Sequence, residues 1–142
     1  HMPDLDVEDA RELSLLAQGS PGLALELASG GGADILKSVK SLFQSAPNID
    51  MNEVHALGDL VSKRRKDDGF STFSLIMIQM LEDIVKANAL GDRRLPLSTE
   101  ALLTYHEEVL NELGRAQGLN LEPRYVILSL FSRLAQMMKS QA

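Results

Sequence analysis

At 142 residues, 44% of them apolar and 24% charged, the chain is long enough to bury a core of its own. No run in it approaches the roughly 18 uninterrupted apolar residues of a membrane-spanning helix. A formal net charge of -6 works against a general affinity for phosphate backbones, and the absence of cysteine excludes disulfide scaffolds, thiolate metal sites and cysteine nucleophiles, which fits a cytoplasmic protein.

The first residues, His1-Met2-Pro3-Asp4, have neither the basic start nor the apolar core of a signal peptide. His1-Met2 has the form of a tag remnant, so the natural sequence is expected from Pro3, as part of a longer protein. Val7, Ala10, Leu13 and Ala17 recur at helical spacing and predict a helix over about residues 6 to 18. Gly19-Ser20-Pro21-Gly22 then breaks the pattern. Ser20 can cap a helix and Pro21 suits its first turn, so Leu23, Leu25, Leu27 and Ala28 predict a short second helix. Gly30, Gly31 and Gly32 stop it and supply a hinge. Residues 1–30 carry a net charge of -5 and the remainder -1, so the acidity is concentrated before that hinge.

Past the glycines every apolar period is helical. Ile35, Leu36, Val39, Leu42 and Phe43 form one stripe, ended by Ala46-Pro47-Asn48. Asp50 and Glu53 resemble a capping box before Val54, Leu57, Leu60 and Val61. A polar run, Ser62 to Gly69, is expected to interrupt. From Phe70 to Leu90 the chain is apolar around most of its circumference, through Phe73, Leu75, Ile76, Met77, Ile78, Met80, Leu81, Ile84 and Val85, which predicts a central helix. After a turn at Gly91 to Pro96, Ser98 is placed to cap a helix carrying Leu102, His106, Val109 and Leu113 on one side. Gly118-Leu119-Asn120 ends it. The last helix, about 121 to 140, accepts Pro123 in its first turn and carries Val126 or Ile127, then Leu130, Phe131, Leu134, Met137 and Met138. The expected fold is all-α: two short helices, then a bundle of about five.

Little here supports catalysis. His106-Glu107-Glu108 lacks the second histidine, four residues on, that a zinc-protease helix needs; position 110 is Leu. His106 is expected instead at the bundle boundary, hydrogen-bonded within it, and His55 has no ligand cluster nearby. The triple glycine lacks the Lys-Ser/Thr of a phosphate loop, and no serine sits in a Gly-x-Ser-x-Gly elbow. No catalytic, metal or cofactor-binding residue is assigned. Lys63-Arg64-Arg65-Lys66 could touch nucleic acid, yet Asp67 and Asp68 partly neutralise it and no aromatic is interleaved for base stacking; a solvated loop is the other reading. The methionines Met77, Met80, Met137 and Met138 serve as core filler or partner-facing surface.

Two segments carry a family likeness. "LSLLAQGSPGLALELA", residues 13–28, resembles the end of the lid domain in clamp-loader ATPases of the AAA+ superfamily, most of all the delta-prime subunits of bacterial DNA polymerase III. "LNLEPRYVILSLFSRLAQM", residues 119–137, is similar to the final helix of that family. Between the two segments the likeness rests on helix count and length. In ATP-hydrolysing members the turn reads Gly-Ser-x-Arg, and the arginine senses the γ-phosphate. Gly19 and Ser20 match, while Gly22 stands where the arginine would be, which resembles the non-hydrolysing delta-prime branch.

The resemblance implies that residues 3–30 are the end of a lid domain and residues 31–142 a collar, the helical bundle that holds clamp-loader subunits in a ring. The expected role is non-catalytic oligomerisation with the gamma/tau ATPase and delta subunits, without cofactor, membrane or DNA contact by this part. A helical regulatory or nucleic-acid-binding domain using Lys63 to Lys66 is the alternative. Large side chains outside the apolar stripes, Tyr105, Tyr125 and Leu128, with Arg124 and Arg133 beside them, are the expected subunit interface.

Overall fold

The computed structural model describes residues 31–63 and 66–140. The expectations for the acidic first helix, for the Gly19–Gly22 turn, for the second helix and for Gly30 lie outside the described residues. Among the described residues there are five α-helices and no strand: α1 (Gly32–Gln44), α2 (Met51–Ser62), α3 (Lys66–Ala89), α4 (Thr99–Leu119) and α5 (Pro123–Ser140). The fold is all-α, a helical bundle.

The helix ends follow from local chemistry. Gly31 precedes α1 with φ 83°, a left-handed conformation that L side chains disfavour, and its carbonyl accepts from the Ile35 amide at 3.1 Å. Gly32 is already helical and buried. Asp50 caps α2 by accepting from the Asn52 amide at 2.9 Å. The expected reciprocal box with Glu53 is therefore a single-residue cap; the Glu53 amide bonds the Asp50 carbonyl instead, at 3.0 Å. Ser98 caps α4 as expected, accepting from the Ala101 amide at 3.1 Å. Asn120, at φ 52°, ends α4, and Pro123 opens α5, where its missing N–H costs nothing.

The polar run expected to break the chain from Ser62 to Gly69 is shorter than that. Ser62 is the last residue of α2, and α3 begins at Lys66 rather than Phe70. Acidic residues such as Asp67 and Asp68 favour the first turn of a helix, and Gly69 is buried there, so this stretch serves as a helix start.

α1 packs on α2 and α3, α3 on α2 and α4, and α5 on α4 and α2, so α5 closes the circuit. Phe70 and Ser71, near the start of α3, lie beside the α4–α5 corner, and Ala46 and Pro47 of the α1–α2 turn lie beside residues 93–98.

Each helix sends its apolar stripe inward. Ile35, Leu36, Val39 and Leu42 of α1 are fully buried, as are Phe73, Ile76, Met77 and Leu81 of α3 and Ile127, Phe131 and Leu134 of α5. The Phe43 and Phe131 rings pack 5.8 Å apart at 55°, a tilted aromatic pair joining α1 to α5. Met77, Met137 and Met138 are core. The wide stripe of α3 suits a helix packed on three others: Leu75, Ile78, Met80 and Val85 are half-buried against the same core. Gly58 sits where α2 meets α5. A Cβ there would lie 3.4 Å from Arg124 Cγ and 3.6 Å from Arg124 Cα, ordinary van der Waals contact, so a methyl group fits at this seam and a larger side chain meets Arg124.

Candidate functional site

The expected interface lies mainly on α5, whose inward stripe leaves its other side to solvent. Tyr125 is 74% exposed there, and Leu128, one turn on, is half-buried against the core. Arg124 and Arg133 flank them and are exposed, but each is tied to a neighbouring helix. Arg124 Nε donates to Asp59 Oδ1 of α2 at 2.9 Å. Arg133 grips Glu108 of α4 with two prongs, Nε to Oε2 at 3.0 Å and Nη2 to Oε1 at 3.2 Å. The hydrogen bonds and charge of Glu108 push the Arg133 pKa further upward, so the guanidinium stays charged. These arginines orient α5 as well as decorating it, and only part of each remains for a partner.

Tyr105 does not belong with them. It is fully buried, and its hydroxyl donates to the Leu130 carbonyl at 2.8 Å between α4 and α5. Three residues after Leu102 and four before Val109, it falls on the inward stripe of α4, and a phenol can enter a core when its hydroxyl finds an acceptor. Tyr105 is a core tie with no surface to offer.

Beside Tyr105 an open groove of about 390 Å³ runs between α4 and α5, bordered by Glu108, Glu112, Arg115 and Arg133. Its charges are satisfied among themselves: Glu108 by Arg133, and Glu112 by Arg115 at 3.2 Å. No acid or base in it is left over for proton transfer. His106 is half-buried, and its Nε2 is buried without the hydrogen bond expected for a boundary histidine. His55 is exposed. Among the described residues no group of three or more His, Asp and Glu could hold a metal ion, and no helix is long and apolar enough to cross a membrane. Of the basic run, Lys63 is exposed at the end of α2, while Arg64 and Arg65 lie outside the described residues.

The structure adds exposed apolar residues that the stripe pattern does not pick out. Leu103 is 49% exposed and Leu110 40%, both on α4, and Leu119 is 61% exposed at the α4–α5 corner. The sequence does hold a signal for the first two, since they recur seven residues apart beside the buried Leu102 and Val109. That seven-residue recurrence marks a second face on one helix.

Comparison of the chain with protein-family models, with curated proteins and with solved structures finds no match.

Proposed function

We propose that this chain is a non-catalytic assembly module of a replicative clamp loader, of the delta-prime kind, acting in the cytoplasm of a bacterium. Its bundle would hold the gamma/tau ATPase and delta subunits, leaving nucleotide chemistry to those partners. The observation that carries the reading is the segment from Leu119 to Met137, similar to the family's final helix. Its Leu-Asn-Leu-Glu-Pro-Arg opening coincides with the α4–α5 corner, where Asn120 takes the left-handed conformation, Pro123 starts the helix and Arg124 reaches Asp59. The all-helical bundle and Gly22 in place of a sensor arginine support it further. The interface on this reading is the outward side of α5, with Tyr125 and Leu128 as apolar contacts and Arg124 and Arg133 as polar rim.

The test is reconstitution. The chain, mixed with full-length ATPase and delta subunits, should co-migrate with them in size-exclusion chromatography, and Tyr125→Ala combined with Leu128→Glu should weaken the complex. Purified alone, it should turn over no ATP. Absence of a complex with both partners, or steady ATP turnover by the isolated chain, sinks the reading.

A further inference from the structure

The outward face of α4 carries a second seam. Its inward seam is Leu102, Tyr105, Val109 and Leu113, all buried. Outside, Glu100, Leu103, Glu107, Leu110 and Gly114 follow one another at steps of three and four, the spacing by which one helix receives another. Leu103 and Leu110 stand half-exposed in this row. A Cβ on Gly114 would meet nothing within 4 Å, so the row ends in open space where a partner's side chain can settle. From residue 100 to 114 the seam is about 21 Å long, enough for four turns of a partner helix.

We infer that this seam docks an α-helix of another protein, one that presents aliphatic residues seven apart with Lys or Arg between them. Charge decides the occupant. Glu100 and Glu107 interleave the leucines, are exposed, and have no ion pair among the described residues, unlike Glu108 and Glu112. α4 holds four acids, Glu100, Glu107, Glu108 and Glu112, against Arg115 alone, so a second α4 would bring like charges together along the seam. A cationic helix pairs them instead, and its aliphatic side chains cover Leu103 and Leu110. The surface is separate from the outward side of α5 and does not depend on the clamp-loader reading.

Two synthetic helical peptides test it against the isotope-labelled full chain by NMR titration. Both carry leucine at every seventh position; one has lysine between them, the other glutamate. The lysine peptide should shift amides of residues 100–117 and bind about tenfold more tightly than the glutamate peptide. Leu110→Gln should weaken it about fivefold with the thermal melt unchanged, Glu107→Lys should reverse the preference, and Tyr125→Ala should leave it untouched. Equal binding of the two peptides, or shifts confined to other helices, overturns the inference. So does sedimentation showing a dimer of the chain that Leu110→Gln abolishes, because the occupant is then a second copy.

Discussion

The Tyr105 hydroxyl donates to the main-chain carbonyl oxygen of Leu130 across 2.8 Å, joining α4 to α5 inside the core. A buried hydrogen bond of this kind contributes about 1 kcal/mol net, and its ring buries far more. Tyr105→Phe should therefore cost about 1 kcal/mol, and Tyr105→Ala about 3–5 kcal/mol through the cavity it leaves. Urea unfolding measures both. A Phe variant as destabilised as the Ala variant would contradict this division between hydroxyl and ring.

The same side chain makes stability depend on alkaline pH. Burial, with the negative charge of Glu108 adding to it, pushes the Tyr105 phenol far above its ordinary value of 10.0. Above that value the unfolded chain gives up a proton that the folded chain keeps, so rising pH favours unfolding. The contribution is complete below about pH 10 and declines beyond it by up to about 1.4 kcal/mol per pH unit. Tyr105→Phe removes that dependence along with the hydrogen bond. The wild type should be the more stable at pH 8, the Phe variant the more stable at pH 11.5, and their curves should cross near about pH 11. Parallel curves over that range would show that the phenol ionises without unfolding.

Two caps are open to direct test. Asp50 satisfies the Asn52 amide and Ser98 the Ala101 amide, and both are exposed. Asp50→Ala and Ser98→Ala should each cost about 1 kcal/mol, while Asp50→Asn should be nearly neutral because an amide oxygen caps as well. Thermal melts of the single and double variants should also show additivity, since the caps sit on separate helices with no shared partner.

Two helical glycines should respond in opposite ways. Gly114 has open space above it, so Gly114→Ala should stabilise α4 by about 0.5–1 kcal/mol. Gly58 faces the stem of Arg124 across the α2–α5 seam. A branched side chain has no room there, and Gly58→Val should destabilise by about 1–3 kcal/mol and disturb the Arg124–Asp59 ion pair. Chemical-denaturation midpoints for the pair would decide it; a stable Gly58→Val would mean that the helices can part without cost.

Most of the bundle is legible in the sequence because its information is local. The stripes of α1 and α5 bury the residues that their spacing selects, that of α3 buries Phe73, Ile76, Met77, Leu81 and Ile84 and leaves Met80 and Val85 half-buried, and Ser98 and Pro123 mark the starts they occupy. The start of α3 is hidden because Lys66 to Gly69 looks like a loop by composition, while two acids ahead of a long apolar run are also how a helix begins. Tyr105 shows where residue type misleads. A tyrosine looks like an interface residue until its three- and four-residue spacing from Leu102 and Val109 is given precedence, and its acceptor, Leu130, lies 25 positions away. Arg124 and Arg133 are correctly exposed, yet their partners Asp59 and Glu108 follow from how the helices pair, which no local pattern states.

The arrangement of the bundle's ends has a mechanical side. Gly31 opens α1, and the far end of that helix leads to Ala46 and Pro47, which border one groove with residues 93–98. That helix, Gly32–Gln44, is about 20 Å long. With the helices locked by a common core the bundle turns as one body, so a pivot of about ten degrees at Gly31 sweeps that groove by about 3 Å. A small torsion in backbone next to a left-handed glycine thus becomes a displacement of about one hydrogen-bond length.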